Sequence, residues 1–133
     1  MKKRQPTICP VVFSLDIFGD KWSLVILRDV LIKGKSHFRE FLLSEEKIAT
    51  NILSSKLEVL VSEGLLTKEV DLHNKSASLY KPTKKALDLL PTLFALMRWG
   101  IEYNPNADTS GPVMTELMEN PDSLYQKIVK KFA

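Results

Sequence analysis

Residues 37–66 read HFREFLLSEEKIATNILSSKLEVLVSEGLL, and two helices of unequal length are written into them. Over 37–43 the side chains of Phe38, Phe41 and Leu42 fall on one face, which predicts a short helix. The polar run Ser44-Glu45-Glu46-Lys47 makes a connection. A longer helix is expected from Thr50 to Glu63, with Leu53, Leu57 and Leu60 as its apolar stripe, Val61 beside it and Gly64 ending it. Its opposite side carries Asn51, Ser55, Glu58 and Ser62, with Thr50 and Ser54 near the N-terminal edge. The period then changes. LLTKEVDL at 65–72 roughly alternates, SLYKP follows at 78–82, and the polar run His73-Asn74-Lys75-Ser76-Ala77 lies between, which predicts a β-hairpin. Short helix, polar turn, longer helix and hairpin, in that order, make a helix-turn-helix followed by a wing.

Outward from this unit the chain stays helical. Residues 21–32, KWSLVILRDVLI, place Trp22, Val25, Ile26 and Val30 at three- and four-residue steps, with Arg28 and Asp29 interrupting the apolar run. Asp20 is a plausible N-cap and Gly34 suits a left-handed C-terminal position. Downstream, Pro82 ends the second strand and Thr83 can cap a helix over 84–103, whose stripe is Leu87, Leu90, Leu93, Phe94, Met97 and Ile101. Pro91 predicts a kink or break in it. NPNADTSGP at 104–112 reads as a linker, and residues 113–133 as a helical extension with a strong helix start at Asn120-Pro121-Asp122. The expectation is a mainly α chain with one small hairpin.

The composition fits one compact domain: 133 residues, 44% hydrophobic and 26% charged. The net charge of +3 is unevenly spread. Through Lys85 there are 15 basic and 10 acidic residues; beyond it, 4 and 6. The positive charge therefore belongs to the helix-turn-helix part, where an anionic partner is to be sought. One cysteine, Cys9, excludes an intrachain disulfide. The basic Lys2, Lys3 and Arg4 are followed by an apolar stretch too short and too interrupted for a signal or membrane segment, so a cytoplasmic location is expected. There is no glycine-rich phosphate loop, zinc-protease motif, nucleophile elbow or dinucleotide fingerprint, so no enzyme and no cofactor is expected. Cys9, His37 and His73 do not have zinc-site spacing, and no metal is expected.

A polar face is the rule for any amphipathic helix, so the long helix alone decides nothing. Its ordered context does, together with the flanking cations Lys33, Lys35, Arg39, Lys75, Lys81, Lys84 and Lys85. Small polar side chains let a helix approach a major groove closely, and an asparagine can make a bidentate contact to adenine. Thr50, Asn51, Ser54 and Ser55 are the candidates to reach bases; Ser36, Arg39, Lys56, Lys75 and Lys84 are the candidates to hold phosphates. A protein-docking module on the same scaffold is the alternative.

Cys9-Pro10, the run Leu15-Asp16-Ile17-Phe18-Gly19-Asp20-Lys21-Trp22, and Leu24 to Arg28 resemble the opening of HxlR-type transcriptional regulators, which are winged helix-turn-helix proteins of the MarR-like group. The resemblance continues through Phe38-Arg39-Glu40-Phe41, then Ile48, Leu53-Ser54, Leu57, Leu60 and Gly64-Leu65. Tyr80 with Pro82-Thr83, Leu89-Leu90-Pro91 and Trp99-Gly100 complete it, over roughly residues 8–103. It implies a winged helix-turn-helix unit over 1–103 and a cytoplasmic homodimer on a pseudo-palindromic double-stranded DNA operator. It also implies that terminal helices, 84–103 among them, close the dimer. Phe94, Met97 and Trp99 are then interface candidates, with monomer core as their other reading. Cys9 stands where several family members sense oxidants; the other reading is an inert, buried thiol. The effector is left open. The chain departs from the family pattern at Ala49, where a capping serine is usual and Thr50 is the alternative cap, and at Ser55, often basic or glutamine. It also departs at the proline-free tip and in residues 106–133, which read as an extra dimerisation element or a lid.

Overall fold

The computed structural model describes residues 7–133. Helices α1 (Pro10–Phe18) and α2 (Lys21–Leu31) lead into the helix-turn-helix pair α3 (Phe38–Leu42) and α4 (Thr50–Ser62). Strands β1 (Leu66–Val70) and β2 (Ser78–Pro82) form the hairpin; α5 (Lys84–Leu87), α6 (Leu90–Tyr103), α7 (Pro112–Glu119) and α8 (Pro121–Lys131) follow. The strands pair antiparallel from Leu66↔Pro82 to Val70↔Ser78, and His37 adds an isolated bridge to Leu79 on the free edge of β2.

Local chemistry sets the helix ends. The Asp20 carboxylate accepts the Ser23 N–H at 2.9 Å and the Ser23 hydroxyl at 2.6 Å, which caps α2. At the end of α4, Leu65 N–H donates to Leu60 O at 2.9 Å and Gly64 N–H to Val61 O at 3.0 Å, with Gly64 at φ +77°. This paired closure needs a left-handed residue, which glycine supplies at no steric cost. Ala49 occupies the N-cap of α4 without a side-chain bond, and Thr50 is the first helical residue rather than the cap. The expected break falls at Asp88-Leu89, and Pro91 sits in the first turn of α6, because proline suits the first turn of a helix and not its interior.

The core runs through the whole chain. Leu53, Leu57 and Leu60 of α4 are 0–1% exposed and pack with Ile26, Leu27, Val30 and Leu31 of α2, Phe41 of α3 and Leu90 and Leu93 of α6. Burying each such side chain is worth about 1.5–3 kcal/mol. Leu117 of α7 and Leu124 and Ile128 of α8 join the same cluster, so the last two helices pack against their own chain. In β1 only Leu66 is buried; Val70 is 62% exposed. The expected alternation fails there because Thr67 to Val70 of β1 are all exposed, while β2 keeps the hairpin on the body through the buried Tyr80.

Helix α1 was not foreseen in the residue pattern. Val11, Val12, Phe13 and Leu15 are all exposed and only Ile17 is buried, so the segment has no inward stripe for periodicity to find.

Candidate nucleic-acid interface

The outer face of α4 presents Asn51, Ser54, Ser55, Glu58 and Ser62, all exposed, with Thr50 exposed at the first turn. None of these side chains is needed by the core that Leu53, Leu57 and Leu60 form on the opposite side. Lys56 lies at the flank, where its ammonium meets Asp20 at 3.3 Å and ties α4 to the start of α2.

Both ends of α3 are tied to α2 by a charged network that the sequence reading missed. Asp29 is 1% exposed. It accepts from Arg28 at 2.7 Å, from Ser44 Oγ at 2.5 Å and from Lys35 Nζ at 3.4 Å. Arg28 forms a second, two-pronged pair with Glu46, both contacts at 2.9 Å. Lys35 also donates to Ser44 Oγ at 2.9 Å. One carboxylate on α2 thus fixes the chain before α3, and Arg28 fixes the turn between α3 and α4. Arg28 beside Glu46 holds that carboxyl at about 2, against its ordinary 4.5, and the guanidinium is shifted upward in turn. A depressed carboxyl stabilises the fold above its unfolded value and loses that contribution as pH falls toward the folded one. Glu46→Gln is therefore expected to remove part of the fall in Tm between pH 4.5 and 2, as read by thermal melts across that range. The available signal was Asp29 itself, three residues after Ile26 and next to Val30 on the inward side of α2, a position where a carboxylate needs partners.

A second cluster joins α3 to the hairpin. His37 Nε2 lies 2.9 Å from Asp71 Oδ2, and Nδ1 lies 3.1 Å from Glu40 Oε1. The Tyr80 N–H donates to the Ser36 carbonyl at 2.8 Å. Asp71 first, then Glu40, raises the His37 imidazole above its ordinary value. His37 in turn lowers Asp71, with help from the His73 N–H. Glu40 is lowered first by the Ser36 N–H and then by His37. These groups line a cleft of about 650 Å³ between α3 and the hairpin, into which Arg39, Asn74 and Ser76 also face.

The expected phosphate ligands are spread differently. Arg39 and Lys75 are exposed and have no ion pair among the described residues. Ser36 is engaged with His37 Nδ1 at 3.1 Å, and Lys84 with Asp88 at 3.1 Å. Lys84 stands at the base of the hairpin, at the far end of β2 from the tip. Phe94 is buried in its own chain, Met97 is half-buried and Trp99 is 67% exposed. Trp99 stacks at a tilt on Tyr103, with ring centroids 5.0 Å apart. Cys9 is exposed, which removes the buried-thiol reading; Lys2, Lys3 and Arg4, expected near it, lie outside the described residues. Among the described residues no group of three or more His, Cys, Asp or Glu is placed to hold a metal ion, and no helix is long and apolar enough to cross a membrane.

Comparison with known proteins gives the same unit. YdeP of Bacillus subtilis, an uncharacterized HTH-type transcriptional regulator, is 33% identical over 100 residues, covering 75% of this chain and 77% of the relative. An uncharacterized HTH-type transcriptional regulator of Methanothermobacter thermautotrophicus is 32% identical over 104 residues, covering 78% and 79%. Among solved structures, the redox regulator HypR in its oxidized form superposes with a TM-score of 0.63 at 31% identity, covering 75% of this chain and 99% of HypR. The model of the HxlR-like helix-turn-helix family matches residues 17–108, from the last turn of α1 through the winged unit and just past α6, and the chain belongs to that family.

Proposed function

We propose that this protein is a DNA-binding transcriptional regulator that acts in the cytoplasm as a homodimer on a pseudo-palindromic operator. The observation that carries this reading is the exposed face of α4. Thr50, Asn51, Ser54 and Ser55 are small, polar and uncommitted to the core, on a helix tied by Lys56 to the start of α2 and followed by a wing. Asn51 reads a base edge, Ser54 and Ser55 approach the groove, and Arg39 and Lys75 hold flanking phosphates. Ser36, Lys56 and Lys84 contribute to phosphate binding only on exchanging their internal partners. In vitro selection of DNA sites tests the reading. On the selected duplex, Asn51→Ala should weaken binding by about 1–3 kcal/mol, whereas Lys75→Ala should weaken selected and random DNA alike. No change with either substitution rejects the docking.

Exposed apolar side chains on two helices support the homodimer. Val11, Phe13 and Leu15 of α1 and Leu96, Trp99 and Tyr103 of α6 are each at least half exposed. The α6 residues recur at three- and four-residue steps on a face that the core leaves free. A symmetric dimer through these helices would present two α4 helices about 34–36 Å apart, one turn of DNA. Trp99→Asp is expected to raise the dimer dissociation constant about 30-fold or more, as a central aromatic anchor is worth about 2 kcal/mol. Analytical ultracentrifugation reads this directly, and an unchanged constant removes Trp99 from the interface.

Thiol control is a further part of the proposal, supported by the exposure of Cys9 and by similarity to a protein described as a redox regulator. Diamide would take up two hydrogens as two Cys9 thiols join in a disulfide between subunits. Binding that is insensitive to diamide, or equally sensitive in Cys9→Ser, sinks it.

A further inference from the structure

Two main-chain contacts hold the hairpin against the start of α3: the Tyr80 N–H to the Ser36 carbonyl, and the His37–Leu79 bridge. Toward the tip, one imidazole continues the attachment. His37 Nε2 meets Asp71 at 2.9 Å, and Asp71 sits where β1 ends. The same Asp71 organises the turn, since its carboxylate accepts the His73 N–H at 2.9 Å and its own N–H donates to Ala77 O at 3.1 Å. On the other side of the ring, Nδ1 meets Glu40 at 3.1 Å, and Glu40 accepts the N–H groups of Ser36 and His37 at 3.1 and 3.0 Å. Both ring nitrogens therefore face carboxylates. A neutral imidazole has one N–H and can serve only one of them; imidazolium serves both.

We propose that protonated His37 is the positioning residue of the wing, clasping Asp71 to Glu40 so that tip and α4 meet DNA together, and that DNA affinity falls as His37 loses its proton. This rests on the DNA-binding reading above. Two consequences of deprotonation act in the same direction. The clasp loses its charge and one of its two carboxylate hydrogen bonds, since the Ser36 hydroxyl at 3.1 Å competes for Nδ1, and two carboxylates are left with less positive charge beside them in a cleft that would face phosphates. Arg39 from α3 and Tyr80 from β2 also line the cleft; His73 reaches Asp71 through its N–H, and Lys75 lies exposed in the tip turn. His73 is the one other histidine in the chain and must be controlled.

The direction follows from linkage. His37 is raised above its ordinary 6.5, so the clasp is fully formed below that value and is lost as pH rises through the raised one. Asp71 and Glu40 are lowered from 3.8 and 4.5, so the clasp survives acidification until they take up protons below those values.

The test uses the full chain and a selected duplex at constant salt, with affinity measured from pH 6 to 8.5. Wild type is expected to weaken about fivefold across this range, the size of one partly exposed ion pair. His73→Gln should keep that slope. His37→Gln should be flat and weak throughout, and His37→Arg, which carries its charge at every pH, flat and closer to the tight limit. NMR titration of the His37 ring should give a midpoint above 6.5 that drops in Asp71→Asn. A pH slope retained in His37→Gln, or a His37 midpoint unmoved by Asp71→Asn, overturns the clasp while DNA binding stands. Absence of saturable binding by wild type at any pH overturns the DNA-binding reading, and the clasp's role in binding with it.

Discussion

Replacing Asp29 with alanine is expected to cost about 3–5 kcal/mol of stability, although the residue touches neither the outer face of α4 nor the wing. Its side chain is 2% exposed and collects Arg28, Lys35 and Ser44 at 2.5–3.4 Å. Removing the carboxylate leaves Lys35 and Arg28, with 19% and 24% of their side chains exposed, facing a shared void. Breaking such a network from one side is strongly destabilising because Lys35 keeps its desolvation penalty and loses its carboxylate, while Arg28 is left with Glu46 alone. For a domain whose whole stability is about 5–15 kcal/mol, this is a large share. Chemical denaturation of wild type and Asp29→Ala measures it. The partner variant Ser44→Ala should cost less, about 1–3 kcal/mol, since it removes a hydroxyl and no charge. A cost under 1 kcal/mol for Asp29→Ala would mean that α2 and the turn before α4 are joined by packing alone.

Phe41→Ala is the second large effect, at about 3–5 kcal/mol. The ring is 1% exposed and meets Tyr80 edge-on, with centroids 6.3 Å apart and planes at 70°. It is the one fully buried aromatic of α3, a helix of five residues too short to hold itself together. Tyr80 belongs to β2, so the cavity would open where the helix-turn-helix meets the wing. A fall in Tm of about 10–15 °C is expected for a chain of this size. Phe41→Leu, which keeps most of the volume, should fall by less than half as much. Equal losses for the two would show that the aromatic edge contact, not the volume, carries the energy.

The elements legible in the sequence are those that bury one face and have a chemical end signal. Helix α4 has three leucines inward and Gly64 behind it; α2 has Asp20 in front; Pro91 marks the break between α5 and α6. Helix α1 escaped because its apolar residues point away from its own chain, so no alternation of apolar and polar residues records the helical period. The tail was legible as helix through Asn120-Pro121-Asp122, but not the place where it packs, since Leu117, Leu124 and Ile128 find their partners far back in the chain. Thr50, Asn51, Ser54 and Ser55 could be named as one face because they share one helix. The groups that orient that helix could not. Asp29 and Ser44 are 15 residues apart, Arg28 and Glu46 are 18 apart, and His37 and Asp71 are 34 apart. Read singly, Arg28 and Asp29 are interruptions of an apolar run and Glu46 a turn residue; only folding makes them a network.

DNA binding itself is tested most directly by the salt dependence of affinity for a selected operator duplex, followed by fluorescence anisotropy. Each phosphate neutralised should contribute a slope of about −0.9 in log affinity against log salt. Binding through Arg39, Lys75 and their dimer mates predicts a steep loss, with a slope of about −4, that becomes shallower by about 2 in the Lys75→Ala dimer. Affinity that is independent of salt, or a slope unchanged in Lys75→Ala, would contradict a winged unit that holds DNA through its tip.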